Sequence, residues 1–247
     1  MQDQEPTFVE DDADDAMHVI ANGFVDDGKI TIASQLVDKL REAIVSGQLE
    51  AGTKINLGAA RNLFQVSLSP LREALARLIS DGLVTFEDNR GYRVAPMSSA
   101  DLEEITTLRL EFEIFALREA IRLGDSAWEG EVIRVLHRLN KEHRDAKQPE
   151  TLEAWEQIHR QFHLTLISGC GKPHLMNFCS VLLNLNDRYR RTFLRATSGD
   201  RNVAFEHSEI AHAAVARDVE YACLKLQDHI RRTGGNLLTH FAKNKGN

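Results

Sequence analysis

The chain from residue 99 onward carries one periodic pattern, and that pattern limits its fold to a helical one. Apolar residues recur there at helical spacing, and no alternation of the kind that marks a strand is evident. Glycine, proline and polar residues interrupt the pattern at 124, 147–149, 169–173, 198–199 and 217–218. These breaks predict six helices, at about 99–123, 126–145, 150–169, 172–197, 202–217 and 218–241. We therefore expect an all-α six-helix bundle over residues 98–243.

The residues before this bundle predict a smaller unit of a different kind. The segment "TIASQLVDKLREAIVSG" has apolar residues at helical spacing from Ile32 to Ile44 and ends at Gly47, as a helix does. After a turn at "QLEAGTKI", the segment "NLGAARNLFQ" predicts a short second helix, and a third begins at "VSLSP". Two β-rich runs, "LVTFED" and "YRVAP", then flank the turn "NRG". Three helices and a hairpin within residues 31–97 are the outline of a winged helix-turn-helix.

The two faces of the predicted third helix differ in character. One is an apolar stripe formed by Leu71, Ala74, Leu75, Leu78 and Ile79. The other face is small, hydroxylic or cationic. A helix-turn-helix places the first turns of this helix in the major groove, where small residues allow close approach and polar groups donate to phosphates and bases. The sequence therefore predicts that DNA is contacted by Ser67, Ser69 and Arg72, and at the hairpin tip by Arg90, Gly91 and Arg93.

The net charge of −7 is concentrated at the N-terminus, where residues 1–29 hold nine acidic side chains and one lysine. Such a segment is typical of disorder, so we expect an acidic disordered tail over residues 1–30. The remainder is near neutral and neither supports nor excludes a polyanionic partner. No apolar run reaches the roughly 18 residues of a membrane span, and no secretory signal is evident. The cysteines, Cys170, Cys179 and Cys223, lack CxxC spacing and predict buried thiols in a cytoplasmic protein.

The first unit resembles a known family of DNA-binding proteins. The stretch "SLSPLREALARLISDGLV", followed by "NRGYRVAPMS", is similar to the N-terminal domain of the GntR family of bacterial transcription regulators. The resemblance covers about residues 31–97 and implies that Ser67, Ser69 and Arg72 touch the operator and that Gly91 lies at the wing tip. The family usually has arginine directly after the first serine, whereas this chain has Leu68. Operator preference therefore does not carry over from the family.

Two histidines four residues apart raise the question of a metal. His159 and His163 share one face of a predicted helix, which is a spacing of metal ligands but also a common accident. The metalloprotease motif requires glutamate directly after the first histidine. Arg160 occupies that position, so the spacing does not indicate zinc-dependent hydrolysis of that type.

The helical unit resembles the FCD effector domain of the FadR-type branch of the GntR family. Its six-helix count is similar to the VanR-like type, and segments such as "FHLTLISGCG" look like regulators responsive to carbon starvation and dicarboxylates. Many FCD domains bind a divalent metal through one aspartate and three histidines. The resemblance implies His163, His207 and His229 as ligands, with His159 at the aspartate position. This departure allows either a four-nitrogen site or a three-histidine site with His159 turned away. Neutral imidazoles favour zinc or nickel over harder cations.

The same resemblance implies a small carboxylate effector that completes the metal shell. Arg109 would bind that carboxylate in a forked contact, although Arg109 and Glu113 also have the spacing of an ordinary ion pair within a helix. A polar cluster at Arg188, Tyr189, Arg190 and Arg191 has two interpretations. Either Arg188 and Tyr189 line the effector pocket, or the cluster is a solvated helix face.

These features predict a homodimeric regulator that binds double-stranded operator DNA, most simply a repressor, and that does not act on a membrane. No nucleophile–base set and no glycine-rich phosphate loop indicates an enzyme. Two alternatives remain at this point. One is a metal-dependent enzyme acting on a small organic acid, and the other is a DNA-binding protein whose metal or packed histidines serve only stability.

Overall fold

The computed structural model of this protein describes residues 30–142, 149–196 and 202–244. The acidic tail predicted for residues 1–30 lies outside these residues, except for Ile30. The chain divides into two compact units, with the boundary between Met97 and Ser98. Each unit is built around its own buried apolar residues.

The first unit contains three helices and a small antiparallel sheet. The helices are α1 (Ile32–Ser46), α2 (Leu57–Phe64) and α3 (Leu68–Ser80), and the strands are β1 (Lys54–Ile55), β2 (Val84–Glu87) and β3 (Gly91–Val94). The sheet order is β1–β3–β2, with β3 paired to both neighbours. Strand β1 lies in the segment predicted to be a turn, because two residues are too few to show an alternating pattern.

The apolar stripes of α1 and α3 pack against each other and form the core of this unit. Leu36, Leu40, Leu71 and Leu75 are fully buried there. Helix α1 ends at Gly47, whose φ of 78° is the left-handed conformation that favours glycine.

Two residues assigned to these stripes are exposed instead. Ile79 is 37% exposed and Ile32 is 51% exposed. At about 100° per residue, Ile79 lies about 80° around the helix from Leu71, at the edge of the stripe. Ile32 is the first residue of α1. The predicted burial of these two side chains is therefore wrong.

The second unit is entirely helical in the part of the chain that the structure describes. Its six helices are α4 (Ser99–Leu123), α5 (Ser126–Lys141), α6 (Pro149–Ser168), α7 (Pro173–Ala196), α8 (Val203–Val215) and α9 (Val219–Asn244). The predicted six helices and the mainly α fold class are confirmed, although α5 ends four residues earlier than expected. None of the helices in the described ranges is long and apolar enough to cross a membrane.

Helix α4 is packed between α9 and α7, and the core runs along their shared faces. Leu117, Phe162, Ile210 and Leu226 are among its fully buried side chains. The three cysteines are also buried and unpaired, as the sequence predicted. Helices α4 and α9 approach closely at one point, where a Cβ atom on Gly234 would lie 2.7 Å from Cγ2 of Thr106.

Candidate functional site

Four buried histidines converge inside the helical unit. Helix α6 supplies His159 and His163, α8 supplies His207, and α9 supplies His229. Each offers one ring nitrogen to a group of atoms that all lie within 4.8 Å of one another. The four residues that the resemblance singled out are thus brought together from three helices.

The spacing within this histidine cluster is close. The Nε2 atoms of His159 and His163 lie 3.3 Å apart, one helical turn from each other on α6. The rings of His207 and His229 have centroids 4.8 Å apart, and those of His163 and His229 are 5.2 Å apart. Phe162 contacts His163 and His207 from the apolar side. The arrangement is a compact nitrogen-lined centre with an aromatic wall.

The environment of the cluster favours the neutral form of two of its imidazoles. Burial lowers the pKa of His159 and of His163 well below the usual value, and the positive charge of Arg190 lowers the pKa of both further. The Nδ1 atoms of these two residues are buried and make no hydrogen bond within the described chain. A neutral imidazole is the form that binds a metal, so the protonation state suits a metal centre.

Two carboxylates lie next to the cluster, and each is paired with an arginine. Arg109 forms two hydrogen bonds to Glu113: its Nε donates to Oε1 over 2.6 Å, and its Nη2 donates to Oε2 over 3.3 Å. Glu113 Oε2 lies 3.9 Å from His163 Nδ1. Arg109 therefore forms the ion pair within the helix that its spacing predicted. That buried pair lies next to the histidines, so the interpretation of Arg109 as an effector contact also stays open.

The second carboxylate is that of Glu206, whose Oε2 lies 2.9 Å from His229 Nδ1. Arg232 Nη1 donates to the other oxygen of Glu206 over 3.2 Å. Sequence reasoning assigned Glu206 no role, although its position directly before His207 was a usable signal.

Helix α7 also reaches the histidine cluster, through Arg190, a member of the predicted polar cluster that was assigned no role in the pocket. Arg190 Nη1 donates to Glu156 Oε1 over 2.7 Å, and its guanidinium lies over the indole of Trp155. That indole stacks on the ring of His159. Burial raises the pKa of Glu156 to about 7, against the lowering effect of Arg190. Trp155 and Glu156 lie four and three residues before His159, so helical spacing alone pointed to them.

The structure does not bring Arg188 and Tyr189 to the histidines. The Tyr189 hydroxyl accepts from the Ser98 backbone N–H over 2.9 Å and lies 2.5 Å from Asp101 Oδ2. Asp101 precedes Glu113 by twelve residues on α4, which is about 18 Å along the helix. Burial lowers the pKa of Arg188, and the charges that oppose this effect are those of Tyr189 and Asp101.

Residues 188–191 are nonetheless all buried, so the interpretation of this segment as a solvated face is wrong. The guanidinium groups of Arg190 and Arg191 are paired with carboxylates, and those of Glu156 and Asp187 are themselves buried. Arg190 pairs with Asp187 and Glu156, and Arg191 pairs with Glu153.

In the first unit, the start of α3 is exposed and polar. Ser67 is the N-cap residue, with extended backbone, and its side chain makes no capping hydrogen bond. Ser69 and Arg72 follow on the exposed face. Within the described residues, no hydrogen bond or ion pair engages the Arg72 guanidinium. The predicted DNA-contacting residues of this helix thus lie together on one accessible surface.

The hairpin tip carries two of the three predicted wing residues. Arg90 is exposed in the β2–β3 turn and pairs with Glu87 over 3.0 Å, and Gly91 adopts a φ of 78°. Arg93 lies further along β3, opposite Thr85, and its Nη1 donates to the Gly52 carbonyl over 3.0 Å. The placement of Arg93 at the tip is therefore corrected: it lies on the body of the wing.

The fold defines a class of protein, the transcription regulators that carry a winged helix-turn-helix before a helical effector domain. The chain belongs to the GntR family of bacterial regulatory proteins: the gntR family model matches residues 32–94, and the FCD domain model matches residues 104–232. It is a DNA-binding transcription regulator, as are its relatives, and not an enzyme.

Individual relatives match this chain over most of its length. The chain is 36% identical over 194 residues to the HTH-type regulator BphR of Paraburkholderia xenovorans, covering 78% of this chain and 79% of that protein. It is 30% identical over 195 residues to the repressor GlaR of Escherichia coli, covering 77% and 89%. Among solved structures, E. coli McbR/YncC aligns with a TM-score of 0.73 at 19% identity, covering 86% of this chain and 99% of that one, which shows the shared fold.

Proposed function

We propose that this protein is a cytoplasmic transcriptional repressor that binds its operator as a homodimer. A small carboxylate effector, bound together with a divalent metal in the helical domain, would release the DNA. The observation that carries this proposal is the convergence of four buried histidines, His159, His163, His207 and His229, from three helices.

The donor set favours zinc or nickel. Imidazole nitrogen suits these metals, whereas manganese, magnesium and calcium prefer carboxylate and carbonyl oxygen. A tetrahedral zinc ion binds nitrogen at about 2.0–2.1 Å, which separates two ligands by about 3.4 Å. The 3.3 Å between the Nε2 atoms of His159 and His163 fits this separation. The replacement of the family's aspartate by His159 thus supports a softer metal than an oxygen-containing site would select.

The charges around the cluster favour an anionic effector. Glu113 is balanced by Arg109, and Glu206 contacts Arg232. Four neutral imidazoles would leave the charge of a bound dication uncompensated, and a buried charge is unfavourable without a partner. A small carboxylate supplies that partner, and the metal would supply a coordination position for one of its oxygens. Arg109, buried next to His163, would add a charge-assisted donor.

A purely structural metal is the second candidate, and the ligand count favours it. Structural zinc sites are commonly closed by four protein ligands, whereas sites that bind a further ligand keep an open position. If all four histidines bind at once, a tetrahedral metal has no position left for an effector. The two candidates differ in whether a carboxylate changes operator affinity.

The proposed DNA-contacting residues are Ser67, Ser69 and Arg72 on α3, with Arg90, Gly91 and Arg93 on the wing. The exposure of Ser67, Ser69, Arg72 and Arg90 and the family membership support this assignment. The proposal of repression, rather than activation, rests on the similarity to GlaR, which is named a repressor.

The test uses full-length protein purified without a histidine tag. Elemental analysis is expected to find about one zinc or nickel ion per chain. Operator DNA is selected from a random library, and its affinity is measured with and without mono- and dicarboxylates. A carboxylate should weaken operator binding by wild type and by His212→Ala, an exposed control on α8, but not by His163→Ala. Metal binding without any carboxylate effect would favour the structural metal. Absence of stoichiometric metal would overturn the metal proposal.

A further inference from the structure

One ring nitrogen of His229, Nδ1, is engaged by the carboxylate of Glu206. This contact determines which ring nitrogen is available to a metal. His229 Nδ1 lies 2.9 Å from Glu206 Oε2, and both side chains are almost fully buried. An ionised carboxylate only accepts hydrogen bonds, so Nδ1 carries a proton, and in the neutral imidazole that a metal requires Nε2 keeps its lone pair. We infer that Glu206 is a positioning residue of the proposed metal site: it fixes the tautomer and the ring orientation of His229. This inference rests on the metal proposed above.

Glu206 is itself held in place from α9. Its Oε1 atom accepts from Nη1 of Arg232 over 3.2 Å, and Arg232 follows His229 by three residues on the same helix. One carboxylate from α8 therefore receives two donors from one face of α9. Because Glu206 directly precedes His207, a single dipeptide of α8 supplies one candidate ligand and supports another.

The second carboxylate near the cluster acts differently. Glu113 Oε2 lies 3.9 Å from His163 Nδ1, which is beyond hydrogen-bond distance, and both of its oxygens are bound by Arg109. Glu113 thus makes no hydrogen bond to His163, whereas Glu206 lies within hydrogen-bond distance of His229. The structure therefore assigns the positioning role to Glu206 rather than to Glu113.

The expected size of the effect follows from other metal sites. Removing a carboxylate that hydrogen-bonds a metal-binding histidine weakens metal affinity by about 10- to 100-fold. Glu206→Ala should show a loss of this order, because the ring loses its acceptor. Glu206→Gln keeps an acceptor oxygen but loses the charge, so it should fall between wild type and Glu206→Ala.

Helix α8 offers a matched control one turn further on. Glu209 also contacts two residues of α9, accepting from Tyr221 over 2.8 Å and from Lys225 over 3.1 Å, but it lies outside the histidine cluster. Glu209→Gln removes a comparable charge that bridges the same two helices. A loss of affinity caused only by weaker α8–α9 packing would appear in this variant as well.

The experiment measures Zn²⁺ affinity by competition with a chromophoric chelator, using full-length, tag-free protein. Thermal melting of the metal-free variants checks that each is folded. If Glu206→Ala does not fold, the comparison of Zn²⁺ affinity uses Glu206→Gln. Co²⁺-loaded protein adds a second readout, because its visible absorption reports the ligand geometry. We expect weaker Zn²⁺ binding and an altered Co²⁺ spectrum in the Glu206 variants, with Glu209→Gln unchanged.

Two results would overturn the inference. If wild type binds Zn²⁺ and the folded Glu206 variants match its affinity and Co²⁺ spectrum, Glu206 has no positioning role, while the metal site stands. If wild type itself binds no Zn²⁺, the metal proposal fails and the role of Glu206 fails with it.

Discussion

The imidazole of His159 stacks on the indole of Trp155, with ring centroids 4.7 Å apart and planes inclined by 21°. The two residues are four apart on α6, so the helix itself brings the rings together. An offset stack of this kind contributes about 0.5–1.5 kcal/mol beyond the buried area. The ring at the position where the family has aspartate is therefore held by packing, with its Nε2 atom 3.3 Å from that of His163.

The DNA-contacting role of α3 can be tested at Arg72. Because its guanidinium is exposed and does not support the fold, Arg72→Ala should weaken specific operator binding by about 1–3 kcal/mol while leaving thermal stability unchanged. A fluorescence titration with selected operator DNA measures this. Arg77→Gln, which changes a cation in the last turn of the same helix, is the control and should retain affinity. Equal affinity of wild type and Arg72→Ala would show that α3 does not read DNA in this way.

The proposed homodimer predicts a property of both the protein and its operator. Paired recognition helices related by a two-fold axis require two half-sites, so the selected operator should be a short imperfect palindrome. Light scattering should give twice the mass of one chain, free and on DNA. A monomer in both states would contradict the proposal. Binding should also weaken steeply with salt, because phosphate contacts dominate affinity.

The buried neutral histidines predict how stability depends on pH in metal-free protein. The folded-state pKa values of His159 and His163 lie below the unfolded value of about 6.5. Below that pH the unfolded chain takes up protons that the folded protein does not. Stability is therefore complete above about pH 6.5 and falls as pH is lowered, with a slope approaching about 1.4 kcal/mol per pH unit for each histidine.

Urea unfolding of chelator-treated protein between pH 7.5 and 5.5 measures this slope. His163→Gln should flatten it, and the exposed control His212→Gln should not. The slope is the informative quantity, because His163→Gln also changes the absolute stability through packing. A slope that is identical in wild type and His163→Gln would show that His163 does not have a depressed pKa.

Two adjacent glycines of α9 should respond to alanine in opposite directions. A Cβ on Gly234 would lie 2.7 Å from Thr106 Cγ2 on α4, whereas a Cβ on Gly235 meets nothing within 4 Å. Gly234→Ala should destabilise the protein by about 1–3 kcal/mol through overpacking. Gly235→Ala should stabilise it by up to about 1 kcal/mol, because alanine is the better helix former. Thermal unfolding of both variants compares the two, and a stabilised Gly234→Ala would rule out the close contact between α4 and α9.

The Tyr189 hydroxyl should contribute to stability rather than to effector binding. Tyr189→Phe removes its hydrogen bonds to Ser98 and Asp101 and leaves those partly buried groups without that partner, which costs about 1–3 kcal/mol. Tyr221→Phe is the control: its hydroxyl contacts Glu209 at an exposed position and should matter less than about 0.5 kcal/mol. Chemical denaturation measures both changes. A stable Tyr189→Phe variant with an altered effector response would reverse the assignment.

The helices could be predicted from the sequence because the apolar pattern of each one repeats over two or more turns. The bounds of α4 were predicted at Ser99–Leu123, since Ser98 caps its start and Gly124 ends it. Strand β1 was missed because pairing with β3, and not a local pattern, makes Lys54–Ile55 extended. Ile79 was misassigned because periodicity alone does not give the width of the buried stripe.

The histidine cluster was predictable from the sequence, and its surroundings were not. The spacing of His159 and His163 and the resemblance to the FCD domain identified the four histidines. Arg190 was named in the polar cluster but was not predicted to lie beside the histidines. Its contact with Glu156 joins α7 to α6 across 34 residues of sequence, which no local pattern shows. Tyr189 was misplaced for a related reason: adjacent residues of one helix point in different directions, and composition does not tell which of them faces the centre.

Tyr189 and Arg190 are consecutive residues of α7 with separate attachments. The Tyr189 hydroxyl is hydrogen-bonded to Ser98, the first residue of the helical unit. Arg190 is hydrogen-bonded to Glu156, beside the histidine cluster. An intact helix has no joint between consecutive residues, because its backbone hydrogen bonds fix their relative rotation at about 100°. A rotation of α7 about its axis that displaced the Arg190 guanidinium would therefore rotate Tyr189 through the same angle. That rotation would distort the hydrogen bond between the Tyr189 hydroxyl and the backbone of Ser98.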